Sequence, residues 1–167
     1  ALLIQAHVFA RPNSELLRMK WSEIDLKEKQ WRFYVPKMNK DHIAPLSNQV
    51  VKMLQELKSI SRKSEYVFYS EANPLKPISN STLNNALRRL GYTSKRQVAH
   101  GFRASARTLI RQHLKCDTEV IELQLGHDLA SKDVNAGAYN RVELLDERTA
   151  MMQAWSDLLS SLTDSSI

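Results

Sequence analysis

Six side chains in this 167-residue sequence have the types and spacing to act on a phosphate or a proton: Arg11, Lys37, His100, Arg103, His127 and Tyr139. His100 and Arg103 stand three apart, which puts them on one face of a helix. Such a pair has reason to converge only around an anion. The guanidinium grips a phosphate through its planar fork, and the imidazole hydrogen-bonds or passes a proton. The plain alternative is a capping histidine beside a solvated arginine. Arg11 directly precedes Pro12, at the mouth of an expected helix, where free N–H groups attract anions. Alternatively it is an exposed arginine in a turn between helices.

Lys37 falls in an expected turn between two strands. From there it can reach a ligand outside the body of the domain and protonate a leaving oxygen. A turn lysine chosen for solubility fits as well, and Lys40 is its local competitor. His127 follows Gly126, an expected helix stop, and would project from the turn; a histidine favoured there by the helix dipole is the simpler reading. Tyr139 is one of five tyrosines and precedes Asn140-Arg141. A free tyrosine titrates near pH ~10. It attacks as a nucleophile only with cationic neighbours or a base; otherwise it is a packing aromatic.

Other chemistries lack their residues. A single cysteine, Cys116, excludes a disulfide framework and a Cys-rich zinc site. The histidines (His7, His42, His100, His113, His127) lack ligand spacing, and the 18 acidic residues are scattered. No metal and no cofactor is expected, so phosphoryl chemistry would rest on Arg, Lys and His. Four glycines and no Gly-rich loop argue against a nucleotide cradle. The net charge of +6 suits a polyanionic partner, nucleic acid above all, or simply a moderately basic protein. A basic cluster at Arg88, Arg89, Lys95 and Arg96 adds to that charge. No apolar run approaches the ~20 residues that span a bilayer.

The elements that must position these residues are mainly helical. Helical periodicity covers 2–10, and Pro12 suits the first position of a second helix over 12–20. The period then changes: Trp31 to Val35 is aromatic and β-branched, and His42 to Pro45 follows, so 22–46 reads as a small antiparallel three-stranded meander. Helical spacing returns from Asn48 to Ile60. Tyr66 to Tyr69 is a short apolar segment, and Pro74 and Pro77 mark a loop. Ser79 or Ser81 caps a helix carrying Leu83, Leu87 and Leu90, stopped by Gly91. Further helices begin near 101, after Asp117, and over 142–162. The last has an apolar stripe that either docks on a neighbouring molecule or folds back onto its own chain. The class is mainly α with one small sheet, as one domain over 1–162 and a frayed tail at 163–167. The chain opens inside a helix without Met and reads as a piece cut from a longer protein.

Taken in order, Arg11-Pro12-Asn13-Ser14-Glu15-Leu16-Leu17, Lys37 eight residues before Pro45-Leu46-Ser47, His100-Gly101-Phe102-Arg103, Leu125-Gly126-His127 and Tyr139-Asn140-Arg141 resemble the catalytic domain of the tyrosine recombinase, or phage integrase, family. The closing segment, Glu147-Arg148 through Met151, Met152 and Trp155, looks most like integrases of prophages and genomic islands. The resemblance implies a DNA breaking-rejoining fold truncated at its N-terminal edge, without the family's core-binding domain. It implies that Arg11 and Arg103 hold the scissile phosphate, Lys37 is the general acid, His100 assists proton transfer, His127 hydrogen-bonds the phosphate and Tyr139 is the nucleophile. By the same resemblance the partner is double-stranded DNA, touched also by Lys40, Arg88, Arg89, Lys95 and Arg96. The intact protein would work as a homo-tetramer in the bacterial cytoplasm, at the nucleoid; the isolated piece would be a monomer, weakly active or inactive. The His127 to Tyr139 gap is longer than the usual family spacing. A non-enzymatic basic helical DNA-binding module and a type IB topoisomerase-like relaxing enzyme are the rival readings.

Overall fold

The computed structural model describes residues 1–61, 64–127 and 144–164. Helix α1 (Leu2–Val8) buries Ile4, Gln5 and Val8. It ends earlier than its periodicity suggests because Phe9 turns left-handed, with φ 37°. A non-glycine residue there carries strain of about 1–2 kcal/mol. The kink sends the buried Phe9 ring into one core and its carbonyl toward another segment.

The α-helix expected over 12–20 does not form. Residues 12–15 are a turn, followed by a single 3-10 turn, Leu16–Arg18. Leu16, Leu17 and Met19 are all buried. Burying three residues of four suits a tight turn that dives into the core, not a helix with one apolar face. Arg11 is therefore not at the mouth of a helix.

The meander is present as β1 (Ile24–Asp25), β2 (Gln30–Val35) and β3 (Lys40–Pro45), antiparallel in that order. Trp31, Phe33 and Val35 point inward from β2, while Arg32 and Tyr34 face out. Pairing of Val35 with Lys40 closes the hairpin around the turn Pro36–Met38, which places the exposed Lys37 at its tip. Lys40, expected in the turn, is the first residue of β3 instead.

Helix α2 (Asn48–Ile60) is capped by Ser47, whose hydroxyl accepts from the Val50 N–H at 3.4 Å. Ile60, the last residue of the helix, is 76% exposed. The expected loop around Pro74 and Pro77 is a second ribbon, β4 (Tyr69–Ser70) against β5 (Asn73–Pro77). Two strands alone let proline lie at an edge where it breaks no ladder. The fold thus has a two-stranded ribbon beside the three-stranded sheet.

Helix α3 (Thr82–Arg89) buries Leu83 and Leu87, and Gly91 beyond it takes φ 84°. Leu90 is exposed, contrary to the expected stripe. Neither Ser79 nor Ser81 caps it by a side-chain bond to the helix; the Ser79 carbonyl accepts from the Thr82 N–H. Helix α4 (Gly101–Leu109) runs into a π-turn, Ile110–Leu114. Helix α5 (Thr118–Gln124) is capped by Asp117, whose carboxylate accepts from the Glu119 N–H at 3.0 Å.

Helix α6 (Leu145–Asp164) packs on its own chain. Met151, Met152 and Trp155 are buried, and the Trp155 indole donates to the Ala6 carbonyl at 3.0 Å. The stripe that had two possible partners therefore folds back, leaving Leu162 exposed. Thr163, expected in the tail, belongs to this helix. Two cores result. One joins the sheet, α1 and α2; the other joins Phe9, α4, α5 and α6.

Candidate active site

The seam between the two cores is where the cationic residues meet. Arg103 starts from the buried face of α4 and is 6% exposed. Its Nη1 donates to the Phe9 carbonyl at 2.6 Å and its Nη2 to the Leu125 carbonyl at 2.8 Å. The left-handed turn at Phe9 supplies one of these acceptors; the end of α5 supplies the other. Burial first, then the Arg11 charge, bring the Arg103 guanidinium down to about 10, with Glu15 and Glu122 opposing. It remains a cation at neutral pH.

Arg11 borders the same cleft as Arg103. It is paired with the buried Glu15: Nη1 donates to one carboxylate oxygen at 2.6 Å, and the Arg11 main-chain N–H donates to the other at 2.7 Å. Glu15 thus fixes the rotamer of Arg11 and takes the N–H that a helix N-terminus would have offered. The opposite wall is Gly126, whose φ of 68° completes the Schellman turn that ends α5. A Cβ there would lie 3.7 Å from Arg11 Nη1 and 3.8 Å from His42 Nδ1. Those are ordinary contact distances, so the left-handed turn rather than crowding calls for glycine here.

His100 precedes α4, is exposed and makes no side-chain cap bond. Burial, then the charges of Arg103 and Arg11, lower its pKa, with Lys37 contributing and Glu15 opposing. The charges of Arg103, Arg11 and Lys37 thus act on His100, although neither His100 nor Lys37 lines the cleft itself. His127 Nδ1 is 2.6 Å from a Glu122 oxygen, whose partner oxygen accepts from Arg107 at 2.5 Å. Burial alone would raise the Glu122 pKa, but these two partners hold it below its usual value. The His127 ring lines a neighbouring depression with Lys40, and His42 and Gly126 are common to both hollows.

Tyr139 and Arg141 lie outside the described residues. Of the outlying basic cluster, Arg88 is engaged within the protein, donating to the carbonyls of Tyr92 and Gln97. Arg89, Lys95 and Arg96 are exposed. Among the described residues, no three His, Cys, Asp or Glu side chains gather as a metal site, and no helix is long and apolar enough to cross a membrane.

The model of the phage integrase family matches residues 10–142, most of the chain and every residue of the cleft except Val8. The chain belongs to the phage integrase family. The prophage integrase IntA of Escherichia coli (strain K12) is 34% identical over 165 residues, covering 98% of this chain and 39% of that protein. The integrase of Enterobacteria phage P4 is 36% identical over 162 residues, covering 88% of this chain and 37% of that protein. The chain thus spans about two fifths of the length of these curated relatives. Among solved structures, the XerA recombinase superposes with a TM-score of 0.61 at 23% identity, over 83% of this chain and 49% of that one. The Tn1549 transposon integrase, in complex with a circular intermediate DNA, gives 0.60 at 11% identity, over 86% and 57%. These two likenesses bear on the fold.

Three residues of this integrase domain escape a sequence reading. His42 lies on β3 with Nε2 3.4 Å from Arg148 Nη2. Since the guanidinium can only donate, Nε2 accepts and the proton sits on Nδ1. Burial, then Arg148, Lys40, Arg103 and Arg11, push His42 down to about 3. Arg148, on α6, also donates to the Ile43 carbonyl and, through Nε, to Gln124 Oε1 at 3.0 Å. Burial lowers its pKa to about 10. The one available signal was Arg148 in the closing segment; its partners on β3 are more than a hundred residues away, and Gln124 lies on a different helix.

A pH dependence follows from His42. Its folded pKa lies below the ordinary 6.5, so the unfolded chain binds the extra proton. Stability should fall as pH drops from about 6.5 toward about 3, by at most about 4–5 kcal/mol from this group. Urea unfolding at pH 7 and pH 4 should show the loss, and His42→Gln should shrink it. An unchanged pH slope in that variant would contradict the assignment.

Proposed function

We propose that the chain is the catalytic domain of a site-specific DNA recombinase, which cuts and rejoins DNA through a 3′-phosphotyrosine link during integration or excision of a mobile element. The observation that carries this reading is the meeting of Arg11 and Arg103 at one cleft.

The Tyr139 oxygen attacks phosphorus and the bond from phosphorus to the 5′ oxygen breaks. Lys37, at the hairpin tip, gives that oxygen its proton. Arg11 and Arg103 face the two non-bridging oxygens, where negative charge builds. Preorganised donors aimed at developing charge are usually the largest catalytic contribution. His100 helps move the proton, and His127 donates to the phosphate. Attack by a 5′-hydroxyl on the phosphotyrosine reverses the step on a new strand. The covalent link conserves the energy of the broken phosphodiester, so no cofactor is consumed.

Double-stranded DNA is the proposed substrate, with Lys40, Arg89, Lys95 and Arg96 giving salt-dependent, largely sequence-independent contacts. The intact protein is proposed to act as a tetramer in the bacterial cytoplasm. A nicked duplex that loses its short 5′ strand after cleavage tests the reading: the intact protein should trap DNA in a complex that survives denaturation. Reversible binding alone would favour a DNA-binding module. On this substrate Lys37→Ala should cut cleavage by about 10²–10⁴, the range of general acid catalysis. Sulfur in place of the leaving 5′ oxygen needs no proton and should restore most of the rate. Failure of sulfur to do so would remove Lys37 from the acid's role.

A further inference from the structure

We propose that Gln124 is a further catalytic residue of this site, its Nε2 donating a hydrogen bond to a non-bridging oxygen of the phosphate that Arg11 and Arg103 hold, with Arg148 the positioning residue that fixes the amide. The inference rests on the DNA-cleavage reading above.

Gln124 is the last residue of α5 and is 4% exposed. Its side chain lines the cleft that Arg11 and Arg103 border. Its Oε1 accepts from Arg148 Nε at 3.0 Å, which sets the orientation of the amide. A guanidinium has only donors, so the oxygen must face it and the nitrogen must face away. That nitrogen has no hydrogen-bond partner among the described residues. A buried donor left unpaired is rare and costs about 1–3 kcal/mol. Here the residue lines a cleft bordered by two cations while the nitrogen itself is closed to solvent, and an anion oxygen admitted beside it would remove the cost.

The size of the cleft selects what enters. Its interior is about 10 Å³, room for one water-sized group. A whole phosphate does not fit, but one of its oxygens does, with the rest of the group at the mouth against the arginines. Arg148 steadies the opposite wall as well, by donating to the Ile43 carbonyl and holding the His42 ring. Gln124 would add a neutral donor to the two cationic ones, in a site where extra charge is costly to bury.

Two substitutions separate this role from a purely architectural one. Gln124→Glu keeps the shape and the bond to Arg148 but replaces the donor with an acceptor. Gln124→Met removes the donor without adding charge. Single-turnover cleavage of the nicked duplex at saturating DNA should fall about 10²-fold in both, the scale of losing one oxyanion donor. DNA affinity should stay within about threefold of the parent, since one neutral contact among many phosphate contacts is lost. Should Gln124→Met fail to fold, Gln124→Leu removes the same donor, leaves Arg148 on the Ile43 carbonyl and His42, and carries the same expectation. Cleavage by the folded Met variant within threefold of the parent overturns the proposal, even if Gln124→Glu is slow, because a new carboxylate slows the reaction by charge alone. A parent that forms no covalent complex defeats the cleavage reading itself; a competent parent with unaffected Gln124 variants defeats only this inference.

Discussion

Tyr139→Phe is expected to abolish covalent DNA capture, with a fall of at least about 10⁴ in cleavage rate and little change in DNA affinity. The substitution removes one oxygen. If that oxygen forms the bond to phosphorus, nothing else in the site replaces it, and loss of a nucleophile in a coupled catalytic set costs nearly the whole of the chemistry. The ordinary pKa of a tyrosine leaves about one in a thousand ionised at neutral pH. The cationic neighbourhood of Arg11, Arg103 and Lys37 is what would draw the phenol toward its reactive form. Retained DNA binding is the necessary companion result. A variant that neither binds nor cleaves would report misfolding; gel-shift and cleavage measurements on one preparation keep the two apart.

Arg103→Ala and Arg103→Lys should both lower cleavage by about 10³–10⁵, the worth of an arginine facing a phosphoryl transition state. They should differ in stability. Alanine strands two buried carbonyls, Phe9 and Leu125, which the guanidinium now satisfies at 2.6 and 2.8 Å. At about 1–3 kcal/mol for each unsatisfied group, the unfolding free energy should fall by about 2–4 kcal/mol, with release from burying the cation reducing that sum. Lysine keeps the charge but not the fork. It cannot bridge both carbonyls and still present a planar edge to a phosphate. A lysine variant with full cleavage would show that charge alone suffices and that the bidentate geometry plays no part. Urea unfolding and single-turnover cleavage of the three proteins give both answers.

Much of this site is legible along the chain because its chemistry is concentrated in short motifs. His100 and Arg103 announce themselves by their spacing, and Gly126 marks the turn that delivers His127. The meander is legible from alternation in β2, where Trp31, Phe33 and Val35 could only face a core. What stays hidden depends on partners distant in sequence. Arg148 reads as a surface charge on an amphipathic helix until α6 is laid against β3 and α5. Gln124 reads as an ordinary helix residue, and His42 as a strand residue without a metal partner. The 12–20 segment misleads because Pro12 and Glu15 mimic a helix start, while Glu15 instead folds back on Arg11. The β4–β5 ribbon is hidden by Pro74 and Pro77, which local propensity assigns to a loop and a two-stranded edge tolerates.

One measurement bears most directly on the catalytic account. The covalent complex formed on the nicked duplex is digested with nuclease and protease, and the peptide carrying the residual nucleotide is sequenced by mass spectrometry. The nucleotide is predicted on the oxygen of Tyr139, attached through its 3′ phosphate. A nucleotide on any other side chain, or a 5′ linkage, would contradict the assignment of Tyr139 as the group that attacks the phosphate held by Arg11 and Arg103.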